Sequence, residues 1–270
     1  MGWRQRPIAA GNGPADHRDC FNSVHTPMNA AYHHQPDTRD NRLLASLPGS
    51  EWERWVPHLE LVELPFRHVL CDSGSAPAHM VFPTTATVSL QYMTLDGGSA
   101  EFAVVGNDGA VGLSLFMGGN ATLGQAVVHS AGQGYRLRAQ AVKSDMFRAS
   151  PLMRLLLNYT QTLIAQVAQT AMCNRYHSIE QQLCRRLLVG LDYSDSQDLR
   201  LTQELVANLL GVRREGVTAA ALKLQMAGVI RYSRGLISVL DRRRLEMRAC
   251  ECYAVNRRSC GYREPEALAA

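Results

Sequence analysis

The hydrophobic pattern of the chain divides it into segments with different periods. From His58 to about Val142, apolar and polar residues alternate in short runs, and glycine-containing turns such as "LDGGSA" and "GNDG" separate them. A period of two is typical of strands that bury one face. The runs that predict strands are "LELVEL", "HMVFPTTATVSLQYM", "AEFAVVG", "QAVVHSAG" and "GYRLRAQAV". Short strands at this spacing favour a double-sheet β-roll or jelly roll.

A helical pattern follows the strands. Pro151 suits a first helical turn, and we predict one long helix over residues 151–191. Its apolar edge is more than the β-roll is expected to cover, which favours pairing with the same helix of a second chain. Packing within one monomer is the alternative. The apolar residues that recur every three or four positions are Leu152, Leu156, Tyr159, Leu163 and Val167.

Two shorter amphipathic patterns flank Gly211, after the polar break "DYSDSQD" at 192–198. Thr202 is a predicted N-cap for a helix that ends near Leu210. A second helix is predicted from about Arg213 to Met226, and "GVIRYSRGLISVL" then predicts a β-hairpin wing of two short strands. The residues expected to anchor the second helix are Val212, Val217, Leu222 and Leu224.

The glycine lets the two helices cross at a wide angle, so the second helix is expected to project its first turns into solvent. An α-helix fits the major groove of DNA, and its N-terminal residues reach the base edges. A two-helix packing unit without a partner is the alternative. The predicted DNA-binding residues are Thr202, Gln203, Arg213, Arg214, Glu215, Thr218, Lys223, Tyr232, Ser233 and Arg234.

The positive charge is concentrated in the same segment. The net charge of the chain is +4, and Arg200 to Arg244 holds nine Lys or Arg residues against three acids, a local excess of six. Such an excess is the electrostatic footprint of a phosphate-binding surface. A solvated basic face with no partner remains the alternative.

Composition narrows the class of protein. Hydrophobic residues make up 46% and charged residues 19% of the chain, which is typical of globular domains. There is no run of about 18 apolar residues to span a membrane, and the first residues lack a secretory signal. Seven cysteines at irregular spacing do not form a disulfide framework. We therefore expect a cytoplasmic protein.

Five segments are predicted from these patterns. Residues 1–40 lack periodicity and are expected to be a disordered extension, which leaves Met28 open as an alternative start. Residues 41–150 form the β-roll, 151–191 the long helix, 192–248 the winged helix-turn-helix and 249–270 a C-terminal tail. The fold class is α+β.

From about Asn41 to Glu246 the chain resembles the Crp/Fnr family of bacterial transcription regulators, most specifically in "LTQELVANLLGVRREGV". The resemblance implies a homodimer that binds a two-fold-symmetric DNA operator, with RNA polymerase as a further partner. In the family, an Arg-Glu pair reads the operator, and this pair falls on Arg214 and Glu215. A second arginine used by some members would fall on Ala219, so the operator should differ from that of the cyclic-AMP receptor.

The resemblance also bears on the effector. Cyclic-nucleotide binders in the family carry a Gly-Glu pair that holds the ribose, and an Arg-Ser or Arg-Thr pair that clamps the phosphate. Here Leu113 follows Gly112, and Leu123-Gly124 occupy the second position. A phosphate without a cationic partner would be poorly compensated, so we do not expect cyclic AMP. A more apolar ligand, or none, remains open.

Neither a metal nor another cofactor is expected. Iron–sulfur members of the family have an N-terminal cysteine cluster, whereas only Cys20 precedes Cys71 here. The trio Cys250, Cys252 and Cys260 lacks the spacing of a structural zinc site, and its role is left open. His177 is expected to be an interface residue rather than a haem ligand.

Two other classes of function are the alternatives. A cupin-like metalloenzyme needs two histidines and a carboxylate on one metal, and the strand region has no His-x-His pair. A nucleotide-sensing adaptor is disfavoured by Leu113, Leu123 and the basic C-terminal segment. We therefore expect a non-enzymatic regulator, with operator sequence, target genes and the sign of regulation left open.

Overall fold

The computed structural model describes residues 37–259, except 96, 120, 123, 146, 147, 149 and 195. The predictions made for residues 1–36 of the N-terminal extension, for Leu123 and for Cys260 lie outside these residues. Residues 37–40, predicted to be disordered, instead form a 3-10 turn, Thr38–Asp40, that Asp37 caps.

Seven antiparallel strands form the predicted roll. One sheet has the order β1-β7-β3 and the other the order β2-β6-β4-β5. The strands are β1 (Leu59–Leu64), β2 (Val69–Cys71), β3 (His79–Pro83), β4 (Thr87–Met93), β5 (Ser99–Val105), β6 (Gln125–Ser130) and β7 (Gly132–Arg138).

Strand β3 of the first sheet is buried on both faces. Val81 of β3 faces the second sheet, in one apolar cluster with Val88 and Val128. Phe82, the next residue, belongs to a cluster that includes Trp55 and residues of the flanking helices. This two-sided burial explains why β3 reads as a continuous apolar run, whereas strands with one solvated face alternate.

Short helices cover the outer face of the first sheet. They are α1 (Arg42–Ala45), α2 (Gly49–Trp55) and α3 (Ala139–Asp145). Asn41 is fully buried and anchors the start of α1: its Nδ2 donates to the carbonyls of Pro83 at 2.8 Å and Gly109 at 3.0 Å. Helix α3 corrects the strand prediction for "GYRLRAQAV". The strand ends at Arg138, and burial of Val142 and Asp145, three residues apart, suits a helix instead.

The predicted helix over 151–191 is two helices, α4 (Pro151–Tyr176) and α5 (Ile179–Asp192). His177 is extended, with ψ at 150°, and Ser178 begins a new helix with a capping box to Gln181. This box satisfies N–H groups at the helix start and so stabilises the break. The prediction of one continuous helix was wrong because the apolar period of α5 belongs to a different core.

Helix α5 packs into the C-terminal domain. Its Leu183 and Leu187 share a buried cluster with Val206 and Leu224. The sheet of this domain has the order β8-β10-β9. The remaining elements are β8 (Asp198–Arg200), α6 (Gln203–Leu210), α7 (Arg214–Met226), β9 (Ile230–Ser233), β10 (Leu236–Val239), α8 (Arg242–Arg248) and α9 (Cys252–Ser259).

A buried ion pair joins α5 to the roll. The Nε of Arg186 lies 2.7 Å from Oε1 of Glu101 on β5, and Ser89 donates to the other carboxylate oxygen at 2.6 Å. Both side chains are less than a tenth exposed. Tyr193 donates from its hydroxyl to Asp108 at 3.0 Å. The contacts tie the C-terminal domain to the strand edge.

Within the described part of the chain, no helix has both the length and the apolar character needed to cross a lipid bilayer.

Candidate DNA-binding surface

The turn between α6 and α7 depends on Gly211. Its φ of +65° lies in the left-handed region, which glycine enters at little cost. The N–H of Val212 donates back to the carbonyl of Ala207 at 3.0 Å and closes the end of α6. The chain then enters α7 after only two more residues, so the glycine sets the crossing of the two helices.

The crossing exposes the start of α7 as predicted. Arg213 is the N-cap, one residue before the helix begins, and it is exposed together with Arg214, Glu215 and Thr218. The opposite face is buried through Val217, Ala220, Ala221 and Leu224. Two arginines at a helix N-terminus, where the helix dipole is already positive, make this tip strongly cationic.

One predicted anchor of α7 is wrong. Leu222 is 55% exposed, because the buried positions 217, 220, 221 and 224 define a face that leaves 222 on the solvent side. The other predicted anchors, Val212, Val217 and Leu224, pack against the C-terminal core.

Side-chain hydrogen bonds fix the start of α6 against α7. Thr202 caps α6 by accepting from the N–H of Leu205 at 3.1 Å. Thr218 donates from its hydroxyl to Gln203 at 2.9 Å, so two predicted DNA-binding side chains are held to each other. This contact places the N-termini of both helices on a common surface.

The wing ends in a tight hairpin. Arg234 and Gly235 both have positive φ, at 49° and 78°, and Ser233 pairs with Leu236 across them. A two-residue loop with both φ positive is a type I′ turn, whose twist matches that of the flanking strands. Ser233 and Arg234 are therefore exposed at the tip. A Cβ on Gly235 would lie 3.2 Å from Thr202, so the tip adjoins the start of α6.

Tyr232 differs from its neighbours on the wing. It is half-buried, and its hydroxyl donates to the carbonyl of Leu201 at 2.8 Å. Burial raises its pKa above the ordinary value. This tyrosine fastens the wing to the residue before α6, a structural role that the sequence did not indicate.

The basic residues of the segment are not equivalent. Arg242 forms ion pairs with Asp192 and with Glu246, so its charge is partly compensated within the protein. Arg242 is exposed, as are the other basic residues of the segment. They are Arg200, Arg213, Arg214, Lys223, Arg231, Arg234, Arg243 and Arg244.

The apolar face predicted for pairing α4 with a second chain lies mostly inside the monomer. Leu152, Leu156 and Tyr159 are buried in the cluster that contains Phe82 of the roll, so the alternative interpretation holds for that face. A different stripe is exposed: Leu157 is 55% and Ile164 62% exposed. The stripe continues through Ala168 and Ala171, with intervals of seven, four and three residues.

Leu113, where the resemblance implies part of a cyclic-nucleotide pocket, lies in an apolar cluster of the roll. Gly112 has a φ of +98°, and a Cβ there would lie 2.9 Å from the carbonyl of His79. Leu113, the next residue, is only 8% exposed and packs with the roll core. The position where the family carries a glutamate therefore serves packing here.

One group of side chains was missed in the sequence. Cys250 and Cys252 do not lie in a tail on their own, because Cys173 and His177 at the end of α4 come to meet them. The interval of four between Cys173 on α4 and His177 at its C-cap is a spacing that helix periodicity brings to one side, and it is a local signal that pointed to the cluster.

The comparisons with known proteins agree with this geometry. Residues 181–248 match the family described as the Crp-like helix-turn-helix domain. Among curated proteins, no sequence matches the chain.

Solved structures resemble the chain over most of its length. A Crp/Fnr-family transcriptional regulator from Eubacterium rectale is 18% identical, with a TM-score of 0.62 over 78% of this chain and 98% of that one. FixK2 from Bradyrhizobium japonicum is 14% identical, with a TM-score of 0.59 over 71% and 98%. A Crp/Fnr-family regulator from Thermus thermophilus is 19% identical, with a TM-score of 0.58 over 70% and 98%.

At these identities the likeness establishes a shared fold, and the domain match adds the specific helix-turn-helix. The described part of the chain therefore has the fold of these solved structures, and residues 181–248 match a Crp-like helix-turn-helix domain.

Proposed function

We propose that the protein is a homodimeric, sequence-specific DNA-binding regulator that reads a two-fold-symmetric operator with the start of α7. The observation that carries the proposal is the exposed Arg213-Arg214-Glu215 tip, held above a buried face by the Gly211 turn. Arginine can bond guanine O6 and N7 together, and glutamate can accept from cytosine N4. Arg214 and Glu215 therefore provide base readout.

Other residues of the surface would position the duplex. Thr202 and Gln203 lie at the N-terminus of α6, where backbone N–H groups favour a phosphate. Ser233 and Arg234 at the wing tip would contact the sugar–phosphate backbone, and Lys223 would add charge on α7. We propose that Thr218 acts mainly by orienting Gln203. Tyr232 attaches the wing to the residue before α6.

A dimer follows from the exposed stripe of α4. Leu157, Ile164, Ala168 and Ala171 lie at intervals of seven, four and three residues, which fit the heptad repeat that pairs two helices. Two copies would then present two α7 tips to successive turns of the duplex, so half-sites should lie one helical turn or a multiple apart. We further propose RNA polymerase as a partner and the cytoplasm as the site of action.

The effector is proposed not to be cyclic AMP. Leu113 occupies the position of the ribose-binding glutamate and is buried in the roll core, so accommodating a hydroxylated sugar there would leave its polar groups without partners. The structure of the roll fits a different ligand or a role that is purely structural.

Selection of bound sequences from a random DNA pool tests the proposal. We expect enrichment of a symmetric site with two half-sites. Recovery of sequences without symmetry or common bases would contradict it.

The Arg214→Ala variant tests the assigned role of that arginine. On the selected operator it should lose discrimination at one base pair per half-site, about 1–3 kcal/mol. Arg243→Ala is the matched control, an exposed arginine on α8 that is expected to leave base preference unchanged. Equal weakening on all sequences by Arg214→Ala would make this residue a phosphate contact only.

A further inference from the structure

Three buried cysteines and one histidine from distant parts of the sequence meet between α4 and α9. One candidate ligand atom from each residue lies within 4.8 Å of all the others. The three cysteines are at most 4% exposed. We name this group the α4–α9 cluster, and its members are Cys173, His177, Cys250 and Cys252.

Two separations in the cluster match those of ligands around one metal ion. The Sγ atoms of Cys173 and Cys250 are 3.6 Å apart, and Sγ of Cys252 is 3.4 Å from Nδ1 of His177. Zinc binds sulfur at about 2.3 Å and imidazole nitrogen at about 2.0–2.1 Å in a tetrahedron. These bond lengths place two sulfurs about 3.8 Å apart and a sulfur and a nitrogen about 3.6 Å apart. The observed distances agree to within about 0.2 Å.

The surroundings of the cluster would orient its ligands. Nε2 of His177 lies 3.3 Å from a carboxylate oxygen of Glu251, which leaves Nδ1 directed at the cysteines. Metal-binding histidines usually donate their other ring N–H to such a carboxylate or to a carbonyl. Gln169 donates from Nε2 to Sγ of Cys252 at 2.8 Å, a contact that would stabilise a thiolate.

We propose that the α4–α9 cluster binds one zinc ion in a closed structural site. Three sulfurs and one imidazole nitrogen are a known zinc ligand set, and four protein ligands leave no open position for catalysis. An iron–sulfur cluster divides its ligands between two or more irons, which holds ligand atoms on different irons further apart than the 4.8 Å that contains all four atoms here. The ligand set therefore favours a single metal ion that prefers sulfur ligands.

The site would join two functional parts of the molecule. Helix α4 carries the exposed stripe, and α9 follows the winged helix. A bound ion would fix the C-terminal end of the DNA-binding domain to the end of α4, so its loss should loosen the domain. The proposed zinc site is supported by the geometry of the cluster, and it is a separate property from the proposed DNA binding.

Metal analysis of the untagged, full-length protein, purified under reducing conditions, is the first test. We expect about one zinc ion per chain. Replacement of zinc by Co²⁺ should give sulfur-to-cobalt charge-transfer bands and the intense visible bands of a tetrahedral site. Less than about a tenth of an equivalent of zinc, with no such cobalt bands, would overturn the proposal. A native Cys173–Cys250 disulfide in a peptide map would also overturn it.

Variants test which residues hold the ion. After dialysis against a competing chelator, Cys250→Ser and His177→Gln should lose most of their zinc. Cys71→Ser is the matched control, because the Cys71 thiol lies in the roll and contacts Ser75 and Thr122; it should keep its zinc. Zinc retained by Cys250→Ser at the level of the unaltered chain would refute the assignment.

Two further variants distinguish this site from other arrangements. Cys260→Ser should keep the zinc, because four ligands are already present, whereas a site built on the C-terminal cysteine trio would lose it. Glu251→Gln should weaken zinc binding by about 10- to 100-fold if the carboxylate orients His177. The cobalt spectrum of the unaltered chain decides the proposal even if a variant does not fold.

Discussion

At the scale of single residues, burial decides what a charged group does. The sequence shows Arg186 and Glu101 as ordinary charges in an α5 pattern and a β5 pattern. The structure buries both and places them 2.7 Å apart. A buried charge is costly unless it is paired, so each residue depends on the other, and through them α5 depends on the roll.

Glu101→Gln should destabilise the protein by about 3–5 kcal/mol, because it leaves the guanidinium of Arg186 buried without a counter-charge. Urea unfolding followed by circular dichroism measures the change. The double variant Glu101→Leu with Arg186→Met should recover much of the loss, since it removes both charges. A single variant as stable as the unaltered protein would show that the pair is not desolvated in solution.

His129 on β6 should remain neutral far below the usual pH. Burial, with the positive charge of Arg186 as a smaller cause, lowers the pKa of His129 from the ordinary 6.5 to about 3. As the pH falls, the unfolded chain therefore binds a proton at His129 before the folded chain does. The contribution of neutral His129 to the free energy of unfolding is complete above about pH 6.5 and declines as the pH falls towards 3.

Nuclear magnetic resonance of the histidine rings measures this directly, with the His129 signal assigned from His129→Gln. We expect no titration of this ring between pH 8 and pH 5. In the same variant, the loss of stability between pH 6.5 and 5 should be shallower. A ring that titrates near its ordinary value would contradict the buried environment.

At the scale of elements, local sequence signals predicted a helix correctly where capping residues and a buried face occurred together. Thr202 caps α6 and Gly211 ends it, as their types and spacing predicted. The prediction of one long helix was wrong because apolar residues continue at helical intervals past "SIEQ", a capping signal that marks the start of a second helix. Period alone cannot show that Leu156 and Leu187 belong to different cores, since the same spacing serves either partner.

Ser178→Ala should cost about 1 kcal/mol of stability, because it removes the hydroxyl that caps α5. Ser178→Gly is the matched control, and it should cost only a few tenths of a kcal/mol. Thermal unfolding of the two variants gives the comparison. A larger loss for the glycine variant would mean that the side chain acts in some other way than as a cap.

At the scale of the whole molecule, helix α4 has one covered face and one exposed face. One face packs on the roll, and the opposite face carries Leu157 and Ile164 in solvent. Exposed apolar residues at coiled-coil intervals are typical of an interface between two helices. Dimerisation through this stripe would also set the distance between the α7 tips of two copies.

Ile164→Asp should convert the protein into a monomer, because it places a charge in the centre of the proposed interface. Light scattering coupled to size-exclusion chromatography measures the mass. Leu95→Asp is the control, since Leu95 is fully exposed on the β4–β5 hairpin and is not part of the α4 stripe. A dimer that persists in Ile164→Asp would move the interface elsewhere.

The sequence by itself determined the strand-rich roll, the helix-turn-helix and the cationic tip of α7, because each is encoded by residues that are close together in the chain. Tertiary structure alone decided which face of α4 is buried, where α4 ends and α5 begins its own core, and what Cys250 and Cys252 meet. Those outcomes depend on contacts between residues far apart in the sequence, such as Cys173 with Cys250 and Arg186 with Glu101, for which local periodicity carries no information.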